Sequence, residues 1–413
     1  MRLLHTSDWH LGQTLHQFER SHEHQQFLSW LLDTLVSEQV DVLLIAGDVF
    51  DHSNPSATAQ TQLYRFLTEA RRRVPHLNMV LCAGNHDSPG RLEAPSPFLA
   101  LLEASVVGQI SADENGVDLE RLVVPLKNKA GEVCAWCIAM PFLRPGDVPR
   151  IEAAADPYMA GVGNLYAQAF NFAAAARQPG QAIIALGHCH LTGGQVSEES
   201  ERRIVIGGAE ALSASIFDPA IAYVALGHLH LAQRIGNDPT RRYCGSPLPM
   251  SFSEIHYPHQ VVVFDLAGDQ VGEIREIRVP RCVELLRIPA RPAPLETVLA
   301  ELEKLDLPPT AETAWPYLQV RVQLTQPEPG LRALIESALA GKPVRLARIE
   351  TTYARAAELA AAPALSVDEL NALAPADFFQ RLYQHRFGES APDELMAALS
   401  ELINTAPEVS AEA

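Results

Sequence analysis

Nowhere in this chain of 413 residues do about 18 uncharged apolar residues run together, so no membrane-spanning helix is expected. The opening MRLLHTSDWH turns polar too soon for the apolar core of an export signal, and a soluble, cytoplasmic protein is the expectation. Cysteine is sparse: six in a chain of this length build no dense disulfide framework. The one close pair, Cys134 and Cys137, lies in the apolar run VCAWCIAM. If that run is a strand, residues three apart face opposite sides, which argues against a redox pair or a zinc site. Aromatics are few, 7% against 47% hydrophobic residues overall, and the length allows one large core and a smaller second one. Positive charge is short as well, with a net charge of −18. That excludes nucleic-acid binding through overall charge, though not through a local basic patch. Only four of the 32 basic residues are lysine, leaving 28 arginines. Arginine suits bidentate phosphate contacts, and a GC-rich genome produces the same bias. Part of the acidity is a tail: from Glu389 onward there are six acidic residues and no basic one, whereas residues 281–355 hold ten basic and nine acidic ones.

Short apolar runs organise the first 280 residues. RLLHTS precedes Asp8, VDVLLIA precedes Asp48, NMVLCA precedes Asn85, AIIALG precedes His188 and AYVALG precedes His228. Separated by helical stretches such as 22–37 and 55–74, they predict buried strands of an α/β fold with layered αββα architecture. Each run ends in a polar residue, and sites in open α/β sheets lie at the carboxyl ends of strands. The near-repeat ALGHCH (185–190) and ALGHLH (225–230) does not extend into its flanks, so two strand ends serving one site is the better account than a repeated module.

From 281 to 355 the pattern predicts a small βαβαβ layer. YLQVRVQL alternates, with Leu318, Val320, Val322 and Leu324 on one face; VELLRI and PVRLARIETT are further strands; helices fall near 295–305 and 329–340; PARPAP reads as a loop. Residues 356–413 form a linker and helical tail. There Ser366 and Glu369 have capping-box spacing, Pro375 can open a helix carrying Phe378, Phe379, Leu382 and Tyr383, Gly388 can end it, and a last helix carries Leu395, Leu399, Leu402 and Ile403. Helices this short need a surface to pack on, in this chain or another.

The strand ends supply Asp8, His10, Asp48, Asn85, His86, Asp87, His188, His228 and His230. Mixed carboxylate, imidazole and amide donors suit borderline divalent metals such as manganese, iron or zinc better than calcium. Even the seven of these other than His86 and Asp87 are too many ligands for one ion. With one bridging carboxylate, two ions about 3.5–4 Å apart can share them, and Asp48 is the natural bridge. Phosphodiester hydrolysis needs what such a pair supplies: a nucleophile at neutral pH and neutralisation of phosphoryl charge.

The set resembles the calcineurin-like metallophosphoesterase superfamily. Within it HTSDWHLG, GDVFDHS, AGNHDSPGR, ALGHLH and RYCGSPLPMSFSE are similar to the SbcD family of bacterial nuclease subunits; beyond 281 the likeness is looser but keeps the domain order. The resemblance implies a metallophosphoesterase domain over 1–280, a capping domain over 281–355 and the tail. It places Asp8, His10, Asp48 and His230 on one metal and Asp48, Asn85, His188 and His228 on the other, with manganese as the ion; affinity order alone favours zinc. His86 then sits beside the scissile phosphate, stabilising charge or protonating the leaving oxygen. Asp87 either orients His86 or caps a helix. His190 stays open, because the family requires only the first histidine of GHCH. RYCGSPLPM is a strand and a Gly-Ser-Pro turn, with Tyr243 and Ser246 near the cleft by resemblance. The apolar stripe Leu63, Phe66, Leu67, Ala70 and Val74 reads as core; the resemblance offers that helix and one near 91–104 to a homodimer, within a heterotetramer with an SbcC-like ATPase on DNA. Arg71 to Arg73 read as a solvated helix end. The implied activity is ATP-dependent double-strand exonuclease and hairpin or single-strand endonuclease in DNA repair, recombination and replication. Its rivals are a small-molecule phosphatase or cyclic phosphodiesterase on the same site, and a silent scaffold for the ATPase, which a damaged ligand set would mark.

Overall fold

The computed structural model describes residues 1–114, 116–149, 151, 153–154, 156–197, 211–353, 375–388, 390–392 and 395–400. The Ser366 and Glu369 pair, Leu402, Ile403 and the six acidic tail residues lie outside the described residues. The chain divides into two compact units, Met1–Val283 and Glu284–Ala413.

In the first unit, β1 (Arg2–Thr6), α1 (Ser21–Ser37), β2 (Val42–Ala46), α2 (Ala57–Arg73), β3 (Asn78–Cys82) and β4 (Ala104–Val107) alternate, and the four strands are parallel neighbours. A second sheet follows from β5 (Val123–Lys127), β6 (Val133–Met140), β7 (Ala182–His188), β8 (Tyr223–Gly227), β9 (Gln233–Ile235) and β10 (Asp238–Tyr243), with α3 (Pro157–Ala176) between β6 and β7. The chain then returns through β11 (Gln260–Ala267) and β12 (Gln270–Arg278) to the first sheet. The orders are β12-β11-β1-β2-β3-β4 and β9-β10-β8-β7-β6-β5.

Strand alternation explains the layering. Leu3, Val42, Leu44, Ala46, Val80 and Cys82 point into the core shared with the second sheet, while Leu4, Leu43, Ile45, Met79 and Leu81 point to the layer containing α1 and α2. Leu28, Leu31 and Leu35 on α1 and Leu63, Phe66, Leu67 and Ala70 on α2 close that outer layer, each buried leucine contributing roughly 1.5–3 kcal/mol. The α2 stripe is therefore core. On the far side, Val162, Leu165, Tyr166 and Ala169 of α3 cover the second sheet. Cys137 faces inward and Cys134 is partly exposed, as opposite faces of one strand require. His5 is the imidazole between the sheets: its Nε2 donates to the Leu226 carbonyl at 3.1 Å, Tyr223 Oη lies 3.2 Å from Nδ1, and burial pushes its pKa down to about 3.

The segment near 91–104 is not one helix. It breaks into Pro89–Glu93, Ser96–Leu99 and a 3-10 turn at Ala100–Leu102, because prolines at 95 and 97 remove donors that a continuous helix needs. At the end of α2, Arg72 pairs with Glu69 and Arg73 with Asp33, as a solvated helix end would.

The second unit opens with β13 (Leu285–Pro294), α4 (Leu295–Glu303), β14 (Tyr317–Leu324), α5 (Leu331–Ala338) and β15 (Arg345–Tyr353), a parallel sheet in the order β13-β14-β15. Leu318, Val320, Val322 and Leu324 pack on Val298, Leu302, Leu331 and Ile335. PARPAP is not a loop. It extends β13 through a register shift between Ile288 and Ala293, which an edge strand tolerates because a proline there need not donate to the ladder. Helix α6 (Pro375–Phe387) starts at its proline, and Gly388 (φ 75°) closes it, its N–H donating to the Gln384 carbonyl at 2.8 Å. Phe387 meets both Tyr383 and Tyr353, while Phe378 and Leu382 are exposed; residues 395–400 are helical, with Leu395 exposed. Among the described residues no helix is long and apolar enough to cross a membrane.

Candidate metal centre

Carboxylates and an amide from the first sheet meet imidazoles from the second at the carboxyl ends of the parallel strands. Asp8 and His10 follow β1, Asp48 follows β2, Asn85 and His86 follow β3, His188 ends β7, and His228 and His230 follow β8. Strands β7 and β8 are parallel neighbours with His188 opposite Gly227, so the two near-identical hexapeptides lie side by side. Asp48 Oδ2 lies 3.6 Å from His10 Nε2 and 3.5 Å from His188 Nε2, while its Oδ1 accepts the His86 backbone N–H at 2.8 Å. Asn85 Oδ1 is 2.9 Å from His188 Nε2 and 3.1 Å from His228 Nδ1. Asp8 accepts the His228 N–H at 3.0 Å, tying the two sheets directly.

Backbone geometry here is unusual. Asp8 (φ 53°), His10 (φ 46°), Asp48 (φ 47°) and His228 (φ 104°) all sit in the left-handed region, a cost that surrounding structure must offset. Two glycines make room: a Cβ on Gly84 would meet Asp48 Oδ1 at 2.1 Å, and one on Gly227 the Ala46 carbonyl at 1.8 Å. The Gly-polar pairs in the sequence thus have a steric cause.

The histidines are aimed from behind. Nδ1 of His10 donates to Asp51 Oδ1 at 3.1 Å, Nδ1 of His230 to Glu254 Oε1 at 2.9 Å, and Nδ1 of His188 to the Ala46 carbonyl at 2.8 Å. Glu254 is held in turn by the Met250 N–H at 2.8 Å. Sequence reasoning missed Asp51 and Glu254, although both stand in the motifs GDVFDHS and RYCGSPLPMSFSE. Burial disfavours a charge on His188, but the adjacent Asp48 outweighs it, raising that imidazole to about 9. Burial opposes ionisation of Asp48 too, and His188 and His10 nevertheless hold it well below the usual carboxylate range. Burial, then the charge on His188, pushes His228 well below an ordinary histidine.

The remaining positions surround the cluster. His86 Nδ1 donates to the Asp51 carbonyl at 2.8 Å, and its ring meets that of His10 edge-on at 4.8 Å. Asp87 is not a helix cap, since Ser88 occupies that position before Pro89–Glu93. Its carboxylate accepts the N–H groups of Val49 (3.1 Å), Phe50 (2.9 Å) and Gly84 (2.9 Å), stitching the Asp48 loop to the Asn85 loop. Burial, then Asp48, raises it to about 6. The His190 ring lies 6.2 Å from that of His228. Tyr243 is buried, donates to the Cys189 carbonyl at 2.7 Å and accepts the Leu191 N–H at 3.0 Å, fixing the chain after His188. Ser246 is likewise buried and shapes the neighbouring loop, its N–H on the His230 carbonyl at 3.1 Å.

The donor set fits divalent cations. Donor atoms of Asp8, His10 and His230, of His10, Asp48 and His86, and of Asp8, Asp48 and His188 lie within 4.8 Å of one another in each group. His10 Nε2 is buried and makes no hydrogen bond among the described residues, an orphan atom that a cation would satisfy. A layered sandwich with such a centre at its strand ends defines a metal-dependent phosphoesterase.

Residues 1–232 match the calcineurin-like phosphoesterase family, and residues 281–387 match the type 5 capsule protein repressor C-terminal domain. The chain is 40% identical over 368 residues to the SbcD subunit of the SbcCD nuclease of Rhodobacter capsulatus, covering 88% of this chain and 90% of the relative. Identity to the SbcD subunit of Escherichia coli K12 is 35% over 288 residues, 68% of each chain, and to that of Bacillus subtilis 168 it is 29% over 422 residues, 97% and 96%. The chain belongs to the calcineurin-like phosphoesterases and, among them, to the SbcD family of SbcCD nuclease subunits.

Proposed function

We propose that the protein cleaves phosphodiester bonds of DNA in the cytoplasm as the nuclease partner of an SbcC-like ATPase, with DNA ends, hairpins and single strands as substrates. The observation that carries this reading is the meeting of Asp48 with His10 and His188 from opposite sheets, each imidazole already aimed by an acceptor on its other nitrogen. In it, Asp8, His10, Asp48 and His230 hold one divalent cation and Asp48, Asn85, His188 and His228 the other, with manganese the ion in the cell. The pair supplies charge neutralisation at the phosphoryl oxygens and a water acidic enough to attack at neutral pH. His86, fixed at Nδ1 by the Asp51 carbonyl, presents Nε2 to the scissile phosphate, stabilising charge there or giving a proton to the leaving oxygen. Asp87 keeps the Asp48 and Asn85 loops in register.

The domain assignment accompanies this: 1–280 for catalysis, 281–355 for capping, 356–413 for linker and docking. Exposed Phe378, Leu382 and Leu395 support docking of the tail on the coiled-coil base of the ATPase. Phe98 and Leu101, 75% and 79% exposed, support a homodimer face near 91–104. The test is to incubate the purified chain, with and without its ATPase and ATP, with hairpin and linear DNA in manganese, alongside a small phosphodiester and a phosphomonoester. DNA cleavage and preference for the diester are expected. Strong preference for the monoester would return the site to a small-molecule phosphatase, and no cleavage under any divalent metal would leave a scaffold. Full co-purification with the ATPase after deletion of 366–413 would remove the docking role.

A further inference from the structure

One basic side chain beside the centre has no part in the ligand set. Arg144 lies in the loop 141–149 that follows β6, and this loop is fastened to the Asn85 loop: the Phe142 N–H donates to the Ala83 carbonyl at 2.8 Å, and Arg144 Nη2 to the Asp87 carbonyl at 3.2 Å. Asp147 Oδ2 accepts the Arg144 N–H at 3.0 Å, and Tyr158 Oη donates to the Leu143 carbonyl at 2.8 Å, so the loop is braced from both sides. The guanidinium lies 5.5 Å over the Phe142 ring, whose edge meets the His188 ring at 6.3 Å. Arg144 is half-buried, and among the described residues no carboxylate pairs with its guanidinium.

A guanidinium has five donors, and one carbonyl uses one of them. Holding a partly desolvated cation without an anion is costly unless a ligand brings the anion. The flat fork is also the side chain best matched to phosphate oxygens. We infer that Arg144 binds a non-bridging oxygen of the phosphodiester held at the centre, on the side of His188. The inference takes from the nuclease reading only that this diester belongs to DNA.

The test sets wild type beside Arg144→Ala and Arg144→Lys, with metal content measured for each, using hairpin DNA and bis(4-nitrophenyl) phosphate in manganese. DNA affinity is measured against salt with calcium in its place. Arg144→Ala should keep its metals, raise KM on both substrates roughly tenfold or more, and make the slope of log affinity against log salt shallower by about one. Arg144→Lys should restore the slope but not KM, because an ammonium cannot hold the Asp87 carbonyl and fork a phosphate together. Unchanged KM on both substrates with an unchanged slope overturns the inference, and so does loss of metal in both variants, which would make Arg144 a structural support. Should wild type split the small diester but leave DNA whole, the nuclease reading fails, and KM of Arg144→Ala on the small diester decides the role of Arg144 alone.

Discussion

Parallel strands build the centre of each sheet in the sandwich and also the three-stranded sheet that begins at Leu285, yet among the described residues buried charge gathers only in the sandwich. Asp8, His10, Asp48, Asp87, His188, His228, His230 and Glu254 are buried at or near the strand ends of the sandwich, whereas among the described residues of the second unit Gln319 is the buried polar side chain. Backbone conformation divides the same way. Among the described residues, non-glycine residues with positive φ fall between Asp8 and His228, and in the second unit only Gly341 and Gly388 adopt it. A shared supersecondary plan therefore does not make a site. The site comes from strained turns at the strand ends, offset by the apolar layers around them.

Changes on one side of this division should leave the other untouched. Asp48→Asn should lower cation affinity by more than the roughly 100-fold that loss of an outer hydrogen-bond partner can cost; calorimetric titration with manganese would show it, and two cations bound at wild-type affinity would break the division. His86→Ala should lower kcat by about 10²–10⁴ while both cations stay bound. In the second unit, Leu318→Ala should cost about 2–5 kcal/mol, read as an earlier unfolding transition in denaturant with manganese affinity unchanged. Glu254→Gln should weaken cation binding roughly 10–100-fold, with little change in the melting of the second unit. The smallest effect concerns His5, which stays neutral in the sandwich down to about pH 3 but ionises near 6.5 once unfolded. The unfolded chain then binds the extra proton, so stability is intact above about 6.5 and falls with pH toward 3, by roughly 1–2 kcal/mol at pH 5. Melting scans across this window should show His5→Gln less acid-sensitive than wild type, and parallel curves would remove His5 as the cause.

Much of this was legible because the signals are local. An apolar run that stops at Gly-Asp, Gly-Asn or Gly-His marks both a strand end and a crowded turn, and the paired ALGHCH and ALGHLH runs proved to be adjacent strands. The aiming groups were harder to see. Asp51 and Glu254 lie 41 and 24 residues from the histidines they hold, and each looks locally like a turn or helix-start residue. Partner choice at that range is decided by how the sheets stack. Asp87 misled for a related reason: beside a helix start it resembles a cap, but the backbone N–H groups it holds are that of Gly84, before it in the chain, and two from another loop. PARPAP misled because proline weighs against a strand unless the strand is known to be an edge.

The division of donors between two sheets has a further result. Asp8, His10, Asp48 and Asn85 stand on one slab and His188, His228 and His230 on the other, so under the proposed ligand set the cations would act as rivets through the joint. At a hundredfold excess over the dissociation constant, such rivets add about 2.7 kcal/mol against unfolding. A cell starved of the ion would then hold a molecule that is idle and also short-lived, its abundance following the metal supply.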